Sequence, residues 1–229
     1  MDEALTAISR IGHSNLELVG VLPNPIKQAR CDHPIHELVA ARYSPYGFEP
    51  CPVEQQDLLS CLEAARWAAS SFNEQPWSFL VATRQDPGEF DRMLRCLLEA
   101  NQMWAQHAGV LMLTVVSKTF ARNNKPNRVA EHDVGLAVAN LSLQATALGL
   151  VVHQMAGLNL AKARQTYGIP ESHDPLTGIA LGHEAGPSRG METVLGERDR
   201  SPRKRHPLAS FVFADAWLQP APQTLGKQL

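Results

Sequence analysis

The apolar positions of this chain switch repeatedly between helical and strand periods. Ile35, Leu38 and Val39 give a short helical pattern that runs into a turn over Ser44-Pro45-Tyr46-Gly47. Pro52 opens a clearer amphipathic stretch, with Leu58, Cys61, Leu62, Ala65, Ala68 and Ala69 on one stripe. An irregular polar stretch, Ser70 to Pro76, precedes a predicted strand from Trp77 to Ala82. Asp86-Pro87-Gly88 opens a second helix, carrying Phe90, Met93, Leu94, Leu97 and Leu98. The run Gly109 to Val116 (GVLMLTVV) is apolar throughout and of strand length, which predicts a strand covered on both faces. After a loop at Asn123–Arg128, the spacing predicts a helix over about Glu131 to Leu148, apolar on nearly every face. Such a helix must be covered almost all round, and a second copy of the chain is the easiest cover. A strand (Val151–Met155), a helix (about Asn159–Tyr167) and a strand (Thr177–Leu181) follow, then a tail that is polar until Leu208–Val212. Helices enclosing short buried strands mean α+β or α/β. Residues 1–30, broken by Pro23-Asn24-Pro25, read as an extension packed on a body spanning 31–229.

Composition narrows the class. At 229 residues there is room for one large domain or two small ones. A hydrophobic fraction of 44% with 19% charged residues excludes a disordered or collagen-like chain. The formal net charge of −2 provides no overall field to draw in nucleic acid or an anionic membrane. Cys31, Cys51, Cys61 and Cys96 form no C-x-x-C pair, as expected of free thiols in a reducing compartment. The opening MDEALTAISR has no signal-peptide pattern, and no apolar run approaches bilayer-spanning length. The expectation is a soluble cytoplasmic protein without nucleic-acid or membrane partners.

Candidate chemistry begins where the first long helix stops. Ser70, Ser71, Asn73 and Gln75 supply uncharged donors and acceptors, which suit the edge of a planar heterocycle and equally a helix cap followed by a polar loop. Pro202-Arg203-Lys204-Arg205-His206-Pro207 is the basic cluster of the chain, a solvated run when taken alone. Cys31-Asp32-His33-Pro34-Ile35-His36 has no matching Cys/His pair elsewhere, so no metal is expected. Glu131-His132-Asp133 reads as compensation of a helix dipole. G-x-S-x-G, P-loop and G-x-G-x-x-G motifs are absent, which argues against a hydrolase, an NTPase and a Rossmann domain.

Taken together, several segments carry a resemblance. Ser70-Ser71-Phe72-Asn73-Glu74-Gln75-Pro76-Trp77 resembles the S-S-x-N-x-Q-P-W signature of the nitroreductase family of FMN-dependent oxidoreductases, with Ala69 where the family usually has Pro. Arg42-Tyr43-Ser44-Pro45-Tyr46-Gly47-Phe48 is similar to the family's R-R-S-x-R-x-F phosphate box, with Tyr43 and Tyr46 at positions usually basic. Arg203 and Arg205 fall where the family places basic residues before a late Pro. Asn101 resembles the family's ribityl- or ring-contacting Asn, with Trp104 in place of a basic residue. Gln154, Met155, Ala156 and Gly157 lie in the segment resembling the one whose amides face flavin N5. Ile179-Ala180-Leu181-Gly182-His183 matches a late strand. The resemblance runs from about 38 to 212.

The resemblance implies an α+β fold, a nitroreductase-like central mixed β-sheet flanked by helices, in a homodimer with flavins at the interface. Residues 31–229 would form the FMN-binding domain. The implied contacts are Arg42, Tyr43, Ser44, Tyr46, Arg203 and Arg205 on the phosphate side, and Ala69, Ser70, Ser71, Asn73, Gln75, Asn101, Gln154, Met155, Ala156 and Gly157 around the ring and ribityl chain. The implied reaction is ping-pong hydride transfer from NAD(P)H to a nitroaromatic, a quinone or a similar acceptor, with flavin N5 rather than a side chain carrying the chemistry. A dehydrogenase, dehalogenase or flavin-fragmenting reaction on the same fold, or a flavin binder without turnover, are the alternatives.

Overall fold

The computed structural model describes residues 24–185 and 194–219. The elements are α1 (Glu37–Ala41), α2 (Gln55–Arg66), β1 (Trp77–Thr83), α3 (Pro87–Leu94), α4 (Glu99–Ala105), β2 (Val110–Ser117), α5 (Ala130–Ala147), β3 (Val151–Met155), α6 (Leu160–Tyr167), β4 (His173–Gly182) and α7 (Val194–Arg200). Single 3-10 turns lie at Ser71–Asn73 and Leu208–Ser210.

The strand order is β1-β2-β4-β3, and every neighbouring pair is antiparallel. The sheet is therefore antiparallel, not mixed as expected. Strands β2 and β3 run the same way, joined through α5, and side by side they would have paired in parallel. Strand β4 arrives last and inserts between them, antiparallel to both.

The sheet is the middle of three layers. Because side chains alternate along a strand, Val110, Met112 and Val116 of β2 face a cluster built with α2 and α5. Leu111 and Leu113 face the opposite cluster, built with Phe90 and Met93 of α3, Trp104 and Ala105 of α4 and Ala163 of α6. Thr114, wholly buried, has its hydroxyl 2.8 Å from that of Thr177 across a β-bulge. Helix α5 covers the sheet with Val134, Ala137, Val138, Leu141 and Ala145. Its other side, Leu136, Ala139 and Leu143, is covered less: Leu136 and Ala139 are exposed and Leu143 is half-buried.

Several boundaries differ from the sequence pattern. Helix α2 begins at Gln55, because Val53 is used as an extended core residue, 2% exposed. The helix carrying Phe90 stops at Leu94. There the chain is drawn across to another segment: the Leu98 N–H donates to the Gly157 carbonyl (2.9 Å), and the Asn159 N–H donates to Cys96 (2.8 Å). It restarts as α4. Strand β4 starts four residues earlier than its apolar run, since the backbone ladder extends to His173 whatever the side chains. Helix α7 lies in the tail read as merely polar. Of the expected extension, residues 1–23 lie outside the described part. Residues 24–30 pack on the body, where the Lys27 ammonium donates to the carbonyls of Arg198 (2.6 Å) and Ser201 (2.8 Å).

The four cysteines are unpaired, and burial pushes the Cys61 thiol up to about 12. No helix among the described residues is long and apolar enough to cross a membrane. Leu141, fully buried where α5 meets the sheet, anchors this layer. Leu141→Ala is expected to cost about 2–5 kcal/mol in chemical denaturation, through lost burial and a residual cavity. A loss below about 1 kcal/mol, the size of a surface change, would contradict this packing.

Candidate functional site

Helix α1 ends at Arg42, and the chain after it carries the first group of candidate residues. An Arg42 terminal nitrogen donates to the Ser44 hydroxyl at 3.3 Å. The C-terminal segment returns to this point. Both terminal nitrogens of Arg203 donate to the end of α1, one to the Arg42 carbonyl and one to that of Ala40. Arg205 joins them electrostatically. Burial, reinforced by the nearby Arg205, holds the Arg42 guanidinium below its ordinary range. Burial also lowers Arg203, with Arg42 and Arg205 adding to it. Among the described residues no carboxylate forms an ion pair with any of the three. Arg203 Nε is buried there without an acceptor. Guanidinium groups gathered without a carboxylate fit a multivalent oxyanion such as a phosphate monoester, and are the wrong ligand set for a metal.

The two tyrosines of this segment are used differently. Tyr43 is 7% exposed, and its hydroxyl accepts from Asn24 Nδ2 at 3.4 Å. Burial raises its phenol above the ordinary value, and Glu184 adds to the rise. Tyr46 packs against Trp104 (ring centroids 5.4 Å) and His153 (4.6 Å), and its hydroxyl accepts from Arg198 at 3.2 Å. Both side chains are thus engaged with the body of the protein, and neither replaces a cation. The turn itself is held from a distant segment: one Asp199 carboxylate oxygen accepts from the N–H groups of Tyr46 (2.8 Å) and Gly47 (3.0 Å).

The Ser70–Gln75 loop is built by strain and by one buried carboxylate. Phe72, Asn73 and Gln75 all have positive φ (54°, 56° and 52°), a cost of the kind that concentrates at binding sites. The Ser71 N–H donates to Asp133 on α5 at 2.9 Å. Gln75 donates from its backbone to the Ser70 hydroxyl (3.0 Å) and from its side chain to the Asn73 carbonyl (3.1 Å). Ala69, Asn73 and Gln75 are exposed, so the loop presents its side chains outward.

On the opposite edge of the sheet, Asn101 of α4 donates to the Gly157 carbonyl at 3.0 Å. A Cβ on Gly157 would stand 2.2 Å from Asn101 Nδ2, so this contact requires glycine. Alternation along β3 splits the preceding pair. Gln154 donates to the Ser142 hydroxyl on the α5 side (3.4 Å), while buried Met155 joins the other core, and Ala156 is exposed.

One chain therefore gathers Arg42, Ser44, Arg203 and Arg205 in one group, ties Asn101 to Gly157, and leaves Ser70–Gln75 elsewhere. That loop precedes β1 at one sheet edge, and Gln154–Gly157 ends and follows β3 at the other. Three strand spacings put the two edges about 14 Å apart. The anchors on α5 agree: Asp133 and Ser142 are nine residues, about 13 Å, apart along the helix.

Sequence reasoning missed Asp199, Lys27 and the anchoring role of Asp133. Asp133 sits in a helix-start motif, where acids are common, and it is only 3% exposed. Among the described residues no group of three or more His, Cys, Asp or Glu is placed to hold a metal ion.

His153 links β3 to the arginine side, donating from Nδ1 to the Pro45 carbonyl at 2.7 Å. Burial lowers its pKa, with Pro45 and Asp199 opposing. The unfolded chain therefore takes up the proton first. Its contribution to stability is full above the ordinary imidazole value of about 6.5 and is lost as pH falls below it. Asp199, raised chiefly by burial, acts with the opposite sign, its contribution falling as pH rises above the ordinary carboxylate range. Denaturation midpoints from pH 8 to 5 are expected to drop more steeply for wild type than for His153→Gln. Parallel profiles would contradict a buried neutral imidazole.

Residues 39–183 match the model of the nitroreductase family. An uncharacterised 15.4 kDa protein of the ask 5′ region of Mycolicibacterium smegmatis is 31% identical over 124 residues, 54% of this chain and 82% of that protein. The major NAD(P)H-flavin oxidoreductase of Aliivibrio fischeri is 46% identical over 50 residues, 21% of this chain and 23% of that one. A solved oxidoreductase containing FMN superposes with a TM-score of 0.77 at 31% identity, covering 83% of this chain and 96% of its own. With more than half of its residues matched by the family's model, the chain belongs to the nitroreductase family.

Proposed function

We propose that this protein is an FMN-dependent oxidoreductase that passes electrons from NAD(P)H to a nitroaromatic, a quinone or a similar acceptor. The observation that carries the reading is the convergence of Arg42, Arg203 and Arg205 without a carboxylate, with Arg203 Nε buried and unsatisfied. Like charges held together in a folded protein repel one another, and a phosphate monoester would relieve that repulsion. The FMN and NAD(P)H named for the two flavin relatives support the same cofactors here.

FMN held here would supply two-electron redox chemistry at N5. The chain's own residues bind and orient. Arg42, Ser44, Arg203 and Arg205 would hold the phosphate. Asn101 and the Gln154–Gly157 segment would line the ribityl and ring side, where the Asn101–Gly157 bond fixes the backbone. Ser70, Ser71, Asn73 and Gln75 would meet the polar edge of the ring, on a backbone locked by Asp133.

The two halves lie at opposite edges of the sheet, so we propose a homodimer in which each copy's Ser70–Gln75 loop completes the other's site. The exposed stripe of Leu136 and Ala139 on α5 supports it, as an apolar surface available for a second copy. In this reading residues 31–229 form the FMN-binding domain and 1–30 an extension.

Two measurements test this. Arg205→Ala is expected to weaken FMN binding about ten- to a hundredfold, the size of a charge-assisted hydrogen bond, as read by flavin fluorescence. Lys204→Ala is expected to change it much less. Equal dissociation constants for wild type and both variants would remove the C-terminal cluster from the site. By light scattering at micromolar concentration, wild type is expected at twice the chain mass and Leu136→Asp, if still folded by circular dichroism, at the chain mass. A monomeric wild type would defeat the shared site.

A further inference from the structure

Residues 118–128 (Lys118-Thr119-Phe120-Ala121-Arg122-Asn123-Asn124-Lys125-Pro126-Asn127-Arg128) hold four cations and no acid, a density found nowhere else in the described chain except around Arg203. The segment is an ordered hairpin. Thr119 bridges Pro126, the Phe120 N–H donates to Lys125 (2.9 Å), and the Asn127 N–H donates to Lys118 (2.8 Å). Lys118 pairs with Asp174 at 3.4 Å. Arg122, Lys125 and Arg128 are exposed and have no ion pair among the described residues.

The hairpin is fastened to the Ser70–Gln75 loop. The Ala121 N–H donates to Glu74 Oε1 at 2.6 Å, and the nearby acids are engaged as well, Asp133 with the Ser71 N–H and Asp174 with Lys118. The Arg122 guanidinium lies 3.8 Å from the centre of the Phe72 ring and 5.3 Å from that of Phe120, and the two rings meet edge to face at 5.9 Å. Phe72 is 71% exposed and has a φ of 54°, although a bulky aromatic residue is normally neither. An arginine seated over a ring is pre-organised. Its position is fixed by the π face, while its N–H donors stay available for an oxyanion.

Resting on the oxidoreductase reading above, we propose that this hairpin selects anionic substrates. Arg122, braced on Phe72, receives a phosphate or carboxylate of the molecule that meets the flavin edge, with Lys125 and Arg128 adding to the local field. Phe72 sits between Ser71 and Asn73, so this guanidinium stands beside the loop that would meet the ring edge. Two sources carry the required charge: the 2′-phosphate that distinguishes NADPH from NADH, and a carboxylate on an aromatic acceptor.

The test compares wild type, Arg122→Ala, Arg122→Lys and, as a distant exposed cation, Lys162→Ala, each loaded with FMN. Two ratios of kcat/KM are read: NADPH to NADH, and 4-nitrobenzoate to nitrobenzene. Arg122→Ala is expected to lower at least one ratio about tenfold, the size of a lost charge-assisted contact. Arg122→Lys is expected to recover part of the loss, and Lys162→Ala to change neither ratio. A fall confined to the first ratio assigns the site to the dinucleotide; a fall confined to the second assigns it to the acceptor. The same comparison is made by calorimetric binding of NADP⁺ and 4-nitrobenzoate without turnover. If wild type binds FMN but oxidises no NAD(P)H, the oxidoreductase reading fails, and the binding comparison alone decides the anion site. Ratios and affinities equal for wild type and Arg122→Ala overturn this proposal and leave the hairpin a solvated basic turn.

Discussion

A strand that is apolar on both faces must be covered on both faces, and the rest of this molecule follows from that demand on β2. The side chains of Val110, Met112 and Val116 bring α2 and α5 to one face, and those of Leu111 and Leu113 bring α3, α4 and α6 to the other. Once the sheet is enclosed in this way, polar groups concentrate at its edges and ends. The strained Ser70–Gln75 loop forms before β1 at one edge, and the Asn101–Gly157 tie forms beside β3 at the other. The same helix, α5, anchors both sides through Asp133 and Ser142. The separation of the Ser70–Gln75 loop from the Asn101–Gly157 tie is thus a property of the layers.

Electrostatics then sets what the site lacks. Arg203 caps the carbonyl end of α1, a favourable use of a cation at a helix C-terminus. That use also brings it against Arg42 and Arg205. The fold pays for this with lowered guanidinium pKa values and a buried Nε that has no acceptor. Elsewhere acids are well matched to donors: Asp199 takes two backbone N–H groups, and Asp133 takes Ser71. Against that background the arginine group is an imbalance that the proposed phosphate would relieve.

Much of this was legible in the chain and some was not. The run GVLMLTVV marked the central strand, because a strand of that length broken by a single polar residue, Thr114, has to be covered on both faces. The Ser70–Trp77 segment stood out as small uncharged polar groups between a helix and a strand, although its backbone strain did not. Strand order escaped because β4 intercalates by long-range pairing, which leaves no local trace. Helix α4 escaped because the apolar period continues across the break at Arg95–Leu98, and the break comes from hydrogen bonds to residues some sixty positions away. Asp199 and Lys27 were invisible for the same reason, since their partners are backbone groups remote in sequence. The substitution of Tyr46 for a usual cation was readable, but its new use in an aromatic group with Trp104 and His153 was not.

On the proposed reading, the uncompensated arginines and the strained loop together hold FMN. The most direct test is the absorption spectrum of the purified protein, followed by mass analysis of what denaturation releases and titration of the stripped protein with FMN. The account predicts flavin absorbance, either as purified or on adding FMN, saturating at one FMN per chain, with released material of FMN mass. Colourless protein that shows no spectral change on titration with FMN would contradict it.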